Sequence, residues 1–215
     1  MQGPSPVTVV RTAYPFAGEA NENFSFNAAH TRGAFRFIHL IGPHEPFSMN
    51  EVAEDVGLDN SDIDAQAKGS LYIVDDYLRR MKELDVYDDA TIIITADHGT
   101  WFSTLDPLEE PSVPIMLVKP SQTHEEAIAP ITTSLAAVGH FDLQATIMTA
   151  AGGDATVYGP TMFEVDGGDV SRARPYFATT NDGWHDQEIV EYEITGDPLN
   201  TDNWQATGSK WVAQE

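Results

Sequence analysis

Residues 34 to 95 switch between the spacing of strands and the spacing of a helix, and this alternation limits the fold more than any other feature. "AFRFIHLIG", residues 34–42, is dense in apolar residues and reads as a strand. "PHEPFSMNE" follows as a loop marked by Pro43 and Pro46. A helix is expected from about Ser61, with Ser61 and Asp64 as a capping box. Ile63, Ala67, Leu71, Val74, Leu78 and Met81 recur at steps of three or four and form one apolar stripe. "TIIIT", residues 91–95, is a β-branched run suited to a buried strand.

The alternation continues downstream. "VPIMLVKP" and "RPYFATT" read as strands, and "HFDLQATIMTAAGG" reads as a helix closed by Gly152 and Gly153. Strands alternating with helices predict an α/β domain with a mainly parallel sheet flanked by helices. The tail differs. "EIVEYEITGD" and "WQATGSKWVA" predict a C-terminal antiparallel hairpin around a polar turn. Residues 1–33, including "YPFAGEANENFSFNAAH", lack periodicity and read as an irregular lead-in. The expected organisation is therefore 1–33 lead-in, 34–182 α/β domain and 183–215 hairpin. There is no internal repeat.

Charge and composition narrow the chemistry. The net charge is −23, from 34 acidic and 11 basic residues, which opposes binding to nucleic acid and anionic lipid. There is no cysteine, so disulfides, thiolate metal sites and cysteine nucleophiles are excluded. Any metal must be held by His, Asp, Glu or other oxygen donors. No run reaches transmembrane length, and Met1 is not followed by a signal-peptide pattern.

In α/β sheets, ligands gather beyond the carboxyl ends of strands. Two of the strands end in reactive side chains. One runs straight into Asp97, His98 and Gly99, a hard oxygen and a neutral nitrogen suited to a divalent cation, with a glycine that lets the backbone turn. The same three residues also read as a tight turn in which Asp97 caps backbone N–H groups and His98 is exposed. The other strand carries His39, followed by His44 between Pro43 and Pro46. His39 reads by itself as a hydrogen-bonded core histidine. His44 reads either as a loop-surface residue or as a donor to an oxyanion or leaving group. Asp142, next to His140, reads as a helix cap, His124 as a surface residue, and His185 beside Trp184 as a loop residue with an open role.

The order "FRFIHLIGPHEPF", helix, "LDVYDDATIIITADHG", "VPIMLVKP", "HFDLQATIMTAAG" resembles the sulfatase-like branch of the alkaline phosphatase superfamily from about Phe35 onward. It is most similar to the membrane-anchored bacterial hydrolases and transferases related to lipoteichoic acid synthase and phosphoethanolamine transferases. "EYEITGDPLNTDNW" resembles the C-terminal hairpin of those proteins.

The resemblance implies an alkaline-phosphatase-like sandwich, present in part, with residues 34–182 as the C-terminal part of the catalytic domain. It implies that Asp97 and His98 bind a divalent metal (Mn, Zn or Ca), that His44 contacts the phosphate or sulfate group, and that His39 is a second histidine near the site. It implies a phosphate- or sulfate-ester substrate on a glycan or lipid, at the extracellular face of the membrane or in the cell envelope. Membrane attachment would come only through a segment N-terminal to this chain. The family's nucleophile, with its first acidic metal ligand, is not recognisable here. The further histidine that many relatives carry after Asp-His-Gly is missing from "TWFSTLDPLEEPSVP". The chain is therefore expected to be inactive alone and to lose metal readily. A non-catalytic envelope binding or scaffolding domain that keeps the fold is the alternative.

Overall fold

A computed structural model describes residues 7–11, 34–58, 60–99, 113–127, 129–180 and 188–212. They fall into two compact units, one covering residues 1–90 with 122–127, the other 91–121 with 128–215. Residues 1–6 and 12–33 of the expected lead-in 1–33, the expected loop in 100–112 and the stretch 181–187 holding Trp184 and His185 lie outside the described residues.

In the first unit, β1 (Val7–Arg11) pairs parallel with β2 (Phe35–His39), from Val7 opposite Phe35 to Arg11 opposite His39. A strand therefore lies inside the stretch read as irregular. Helix α1 (Ile63–Glu83) begins one residue later than the capping box requires. Asp62 is the cap, its Oδ1 accepting from the Ala65 N–H at 2.8 Å, while Ser61 Oγ donates to the Met49 carbonyl at 2.5 Å. Two adjacent residues can both cap, and the competing bond to Met49 decides between them.

The buried face of α1 is also offset from the apolar stripe. Gln66, Gly69 and Ile73 are buried with Tyr77 packed alongside, and Leu71 is exposed. Ile73 joins Met49 and Ala53 in a core that Ile38, Leu40 and Tyr77 cover. The loop before the helix is compact. Asn50 Oδ1 accepts from the Val52 and Glu54 N–H groups, and the Val56 N–H donates to the Ser48 carbonyl.

Gly69 is where this loop touches the helix backbone. A Cβ there would collide with the Asn50 carbonyl oxygen and stand 3.0 Å from Met49 Cε. Gly69→Ala is therefore expected to destabilise the chain by about 1–3 kcal/mol in urea denaturation, overpacking outweighing the better helix propensity of alanine. A gain in stability would show that the contact is not close. After α1, the single turn α2 (His124–Ala127) is tied back by the Gln122 N–H to the Asp88 carbonyl at 3.0 Å and by His124 Nδ1 to Asp88 Oδ2 at 2.7 Å.

In the second unit, β3 (Ile92–Thr95) pairs antiparallel with β4 (Met116–Lys119). Both strands are half-buried rather than fully buried. A 3₁₀ turn (His140–Asp142) leads into α3 (Leu143–Ala150). The helix closes at Gly152, whose φ is +74°, with its N–H donating to the Thr149 carbonyl and that of Gly153 to Met148. Thr146 is buried and links two segments: its hydroxyl donates to the Asp142 carbonyl and accepts from the Met162 N–H. The segment after α3 is built on carboxylate caps. Asp154 bonds Thr156, Glu164 bonds Thr161 and Asp169 bonds Ser171, which holds all three carboxyls below their ordinary pKa.

β5 (Arg174–Thr180), β6 (Glu188–Ile194) and β7 (Trp204–Val212) form an antiparallel sheet in that order. Ile194 and Trp204 are its core, with Tyr176 edge-on to Trp204 at 5.1 Å between ring centroids. Opposite Glu191 the ladder is interrupted. Val190 faces Lys210 and Tyr192 faces Ala206, so Thr207, Gly208 and Ser209 bulge out, with Gly208 at φ +87°.

The architecture is α/β, but the expectation of a mainly parallel sheet is corrected. Among the described residues, only β1–β2 pairs parallel; β3–β4 and β5–β6 are antiparallel, while antiparallel β6–β7 is the hairpin expected of the tail. Alternation along the chain says which elements occur. It does not say which strands become neighbours, because those contacts are long-range.

Candidate functional site

The end of β3 is held from two directions. Thr95 Oγ1 lies 2.9 Å from the Ile115 carbonyl oxygen and 3.2 Å from His140 Nε2. A carbonyl only accepts, so the hydroxyl proton points to Ile115, and the hydroxyl oxygen receives an N–H from His140. His140 is held by the turn that contains Asp142. That carboxylate is 1% exposed; it takes both nitrogens of Arg172, at 2.7 and 2.9 Å, and the Gly139 N–H at 2.9 Å. The sequence reading of Asp142 as a cap holds at the 3₁₀ turn, whose first backbone N–H, that of Gly139, its carboxylate takes; the same carboxylate is also the buried partner of Arg172, and the start of α3 receives no side-chain cap bond from it. The carboxylate in turn holds the Arg172 guanidinium above its ordinary pKa.

Two residues beyond Thr95 the chain bends and presents Asp97 and His98. Asp97 Oδ1 accepts the His98 N–H at 3.1 Å, the local bond expected of a tight turn. His98 Nδ1 lies 2.6 Å from the Gly99 carbonyl oxygen. The proton of that bond must sit on Nδ1, so the ring's lone pair is on Nε2, 4.0 Å from Asp97 Oδ1. Fixing one ring nitrogen on a carbonyl is how proteins orient a histidine ligand.

Two donors on one cation, each about 2.0–2.2 Å away, stand no more than about 4.4 Å apart. The Asp97–His98 spacing is within that reach, and both side chains open to solvent, 91% and 42% exposed. Oxygen and imidazole suit Zn²⁺ or Mn²⁺. Among the described residues, no group of three or more His, Asp or Glu is placed to hold an ion.

His44 and His39 belong to the first unit. His44 is exposed in the loop after β2, with Nδ1 2.5 Å from the Glu45 carbonyl oxygen, so that Nδ1 also carries its proton. Nε2 can then donate to an oxyanion when the ring is protonated. The backbone around it is fixed by a side chain that sequence reasoning missed. Gln66 is 1% exposed and donates from Nε2 to the Gly42 carbonyl at 3.0 Å and the His44 carbonyl at 2.7 Å, while its Oε1 accepts from the Ser48 and Met49 N–H groups. A lone glutamine in a helix gives no sequence signal. The only hint is that it faces the core from between the apolar Ile63 and Ile73. His39 is exposed at the end of β2, which corrects its reading as a core histidine.

The model of the sulfatase family, described simply as Sulfatase, matches residues 16–153 of this chain, more than half of its 215 residues. Comparison with curated proteins and with solved structures returns no match. The matched span holds β2, α1, β3, β4 and α3 and all four candidate histidine and aspartate positions, and on this ground the chain belongs to the sulfatase family, within the superfamily of alkaline-phosphatase-like α/β hydrolases.

Proposed function

We propose that this chain is the C-terminal part of a metal-dependent hydrolase or transferase acting on phosphate or sulfate esters of extracellular or envelope glycans or lipids, in the membrane-anchored branch of the family. The observation that carries the reading is the Asp97–His98 pair directly beyond β3, with the His98 ring oriented by Gly99. Sulfatases generally use a divalent metal, and these two side chains are donors of the right kind for one. The metal is a divalent cation, Mn, Zn or Ca. When bound, the metal supplies Lewis-acid stabilisation and lowers the pKa of the nucleophile.

The chain's own residues do the rest. Asp97 contributes a carboxylate oxygen. His98 contributes Nε2 while Gly99 keeps Nδ1 protonated. His44 donates from Nε2 to an ester oxygen, and His39 is a secondary contact. The surface charge of −23 favours a substrate presented on a neutral carrier or screened by cations. Among the described residues no helix is long and apolar enough to cross a membrane; attachment through a segment N-terminal to this chain is part of the proposal. Alone, the chain is expected to turn over no ester.

Metal titration tests the reading. Calorimetry with Mn²⁺ or Zn²⁺ is expected to show weak binding to the 215-residue chain, because two protein ligands leave most of the shell to water. Asp97→Ala is expected to weaken it by at least about tenfold, since losing a ligand costs no less than losing a ligand's hydrogen-bond partner. Affinity unchanged in both Asp97→Ala and His98→Ala would sink the assignment. Tight, stoichiometric metal in the purified chain would show that further ligands lie within it.

A further inference from the structure

We propose that Gln66 is the positioning residue of the His44 loop, setting where the His44 imidazole stands toward an oxyanion. The proposal rests on the reading of His44 as a contact to phosphate or sulfate, and goes beyond it by assigning the control of that contact to a residue in α1. The loop from Gly42 to Met49 makes a single turn around one amide. Two of its carbonyls, Gly42 and His44, accept from Nε2, and two of its N–H groups, Ser48 and Met49, donate to Oε1. A primary amide has two N–H donors and a carbonyl with two lone pairs, so all of its capacity goes to this one loop.

Its burial gives those bonds their weight. Gln66 is 1% exposed beside Met49, which is fully buried, so no water can replace a lost partner without opening the core. The two donor bonds are those nearest the imidazole. One is to the carbonyl of His44 itself. The other is to Gly42, whose φ of +67° and whose carbonyl, also accepting the His44 N–H at 2.9 Å, set the turn that delivers the histidine. The ring then leans on the next carbonyl, Glu45, through Nδ1. The bonds from α1 thus fix the backbone on which His44 stands, and the Glu45 carbonyl fixes the ring through Nδ1, which leaves Nε2 turned away from both. An exposed loop histidine would otherwise sample many orientations, and ordering it in advance raises its affinity for a ligand without adding a contact.

Gln66→Glu separates positioning from folding. The carboxylate keeps the shape and the two acceptor bonds from Ser48 and Met49, but turns an oxygen toward the Gly42 and His44 carbonyls. The probe is inorganic sulfate, titrated into the full 215-residue chain while the imidazole ¹H–¹³C resonances are followed, with a thermal melt of each variant. The expected result is a folded variant with a displaced His44 resonance, an unchanged His98 resonance, and sulfate affinity at His44 lower by about tenfold, the scale of one buried hydrogen bond lost. A folded variant with the His44 resonance and sulfate affinity within about twofold of the parent overturns the proposal. If Gln66→Glu does not fold, Gln66→Met, of similar volume and without either arm, is judged by the same two readings. His44→Ala separates the two claims. If it leaves sulfate affinity untouched, the reading of His44 fails by itself, and the resonance shift in the Gln66 variants still decides whether the glutamine positions the ring.

Discussion

Asp142→Ala is expected to lower the stability of the chain by about 3–5 kcal/mol, the largest effect of any single substitution considered. The carboxylate is 1% exposed and holds a guanidinium that is itself largely buried, at 22%. Removing it takes away the partner of Arg172 Nη2 and of the Gly139 N–H, and one of the two partners of Arg172 Nη1. Arg172 keeps its bond to the Ala137 carbonyl and its position over the Phe141 ring, neither of which neutralises its charge. Pairing the change with Arg172→Met should recover a large part of the loss, because a buried ion pair replaced by apolar groups of like volume is often near neutral. Chemical denaturation of the two single variants and the double variant measures this. A loss under about 1 kcal/mol for Asp142→Ala would mean that the pair is solvated in solution. Because the same turn carries His140 against Thr95, the variant should also weaken metal binding at Asp97 and His98.

The second large effect concerns turnover. In an enzyme that joins this chain to the family's nucleophile segment, Asp97→Ala or His98→Ala is expected to lower kcat by about 10³-fold or more against an aryl phosphate or aryl sulfate. Groups that act as a unit in catalysis lose most of the rate when any one is removed. His44→Ala should cost about 10²–10³-fold, the range for one oxyanion donor, and leave metal content unchanged. The 215-residue chain without that segment should stay at background. Turnover by the chain alone that Asp97→Ala abolishes would place the nucleophile among these residues and refute their reading as an incomplete site.

How far the sequence could be read depended on whether the relevant contacts were local. Helix α1 was legible because its apolar residues recur over many turns, yet its buried face was misplaced: Gln66 and Gly69 are on it, and neither is apolar. The glutamine is there for its hydrogen bonds and the glycine for the space it leaves, two qualities that a hydrophobic pattern does not register. Ser61 and Asp62 are equally good caps by type, and only the Met49 carbonyl, twelve residues upstream, distinguishes them. Asp142 and Arg172 are thirty residues apart and carry no local mark of their pairing. The placement of Asp97 and His98 just beyond β3 was legible for the opposite reason. The pair follows a β-branched run with one residue between, so position along the chain and position at the strand end coincide. The parallel pairing expected of the strands failed because neighbours in a sheet are chosen across distances that local spacing does not encode.

The bulge in β7 bears on how these molecules behave at high concentration. Among the described residues β7 has a strand on one side only. An uninterrupted nine-residue edge would offer a straight row of N–H and C=O groups to the edge of another molecule. Thr207, Gly208 and Ser209 break that row near its middle: the Thr207 hydroxyl folds back onto the Glu191 carboxylate, and the Ser209 N–H turns onto the Thr207 hydroxyl. Two short runs remain, one of them carrying the Lys210 ammonium. Neither is long enough to seed stacking of copies edge to edge, so deleting Gly208 and Ser209, which leaves one residue opposite Glu191 and straightens the strand, would be expected to make the protein more prone to aggregate.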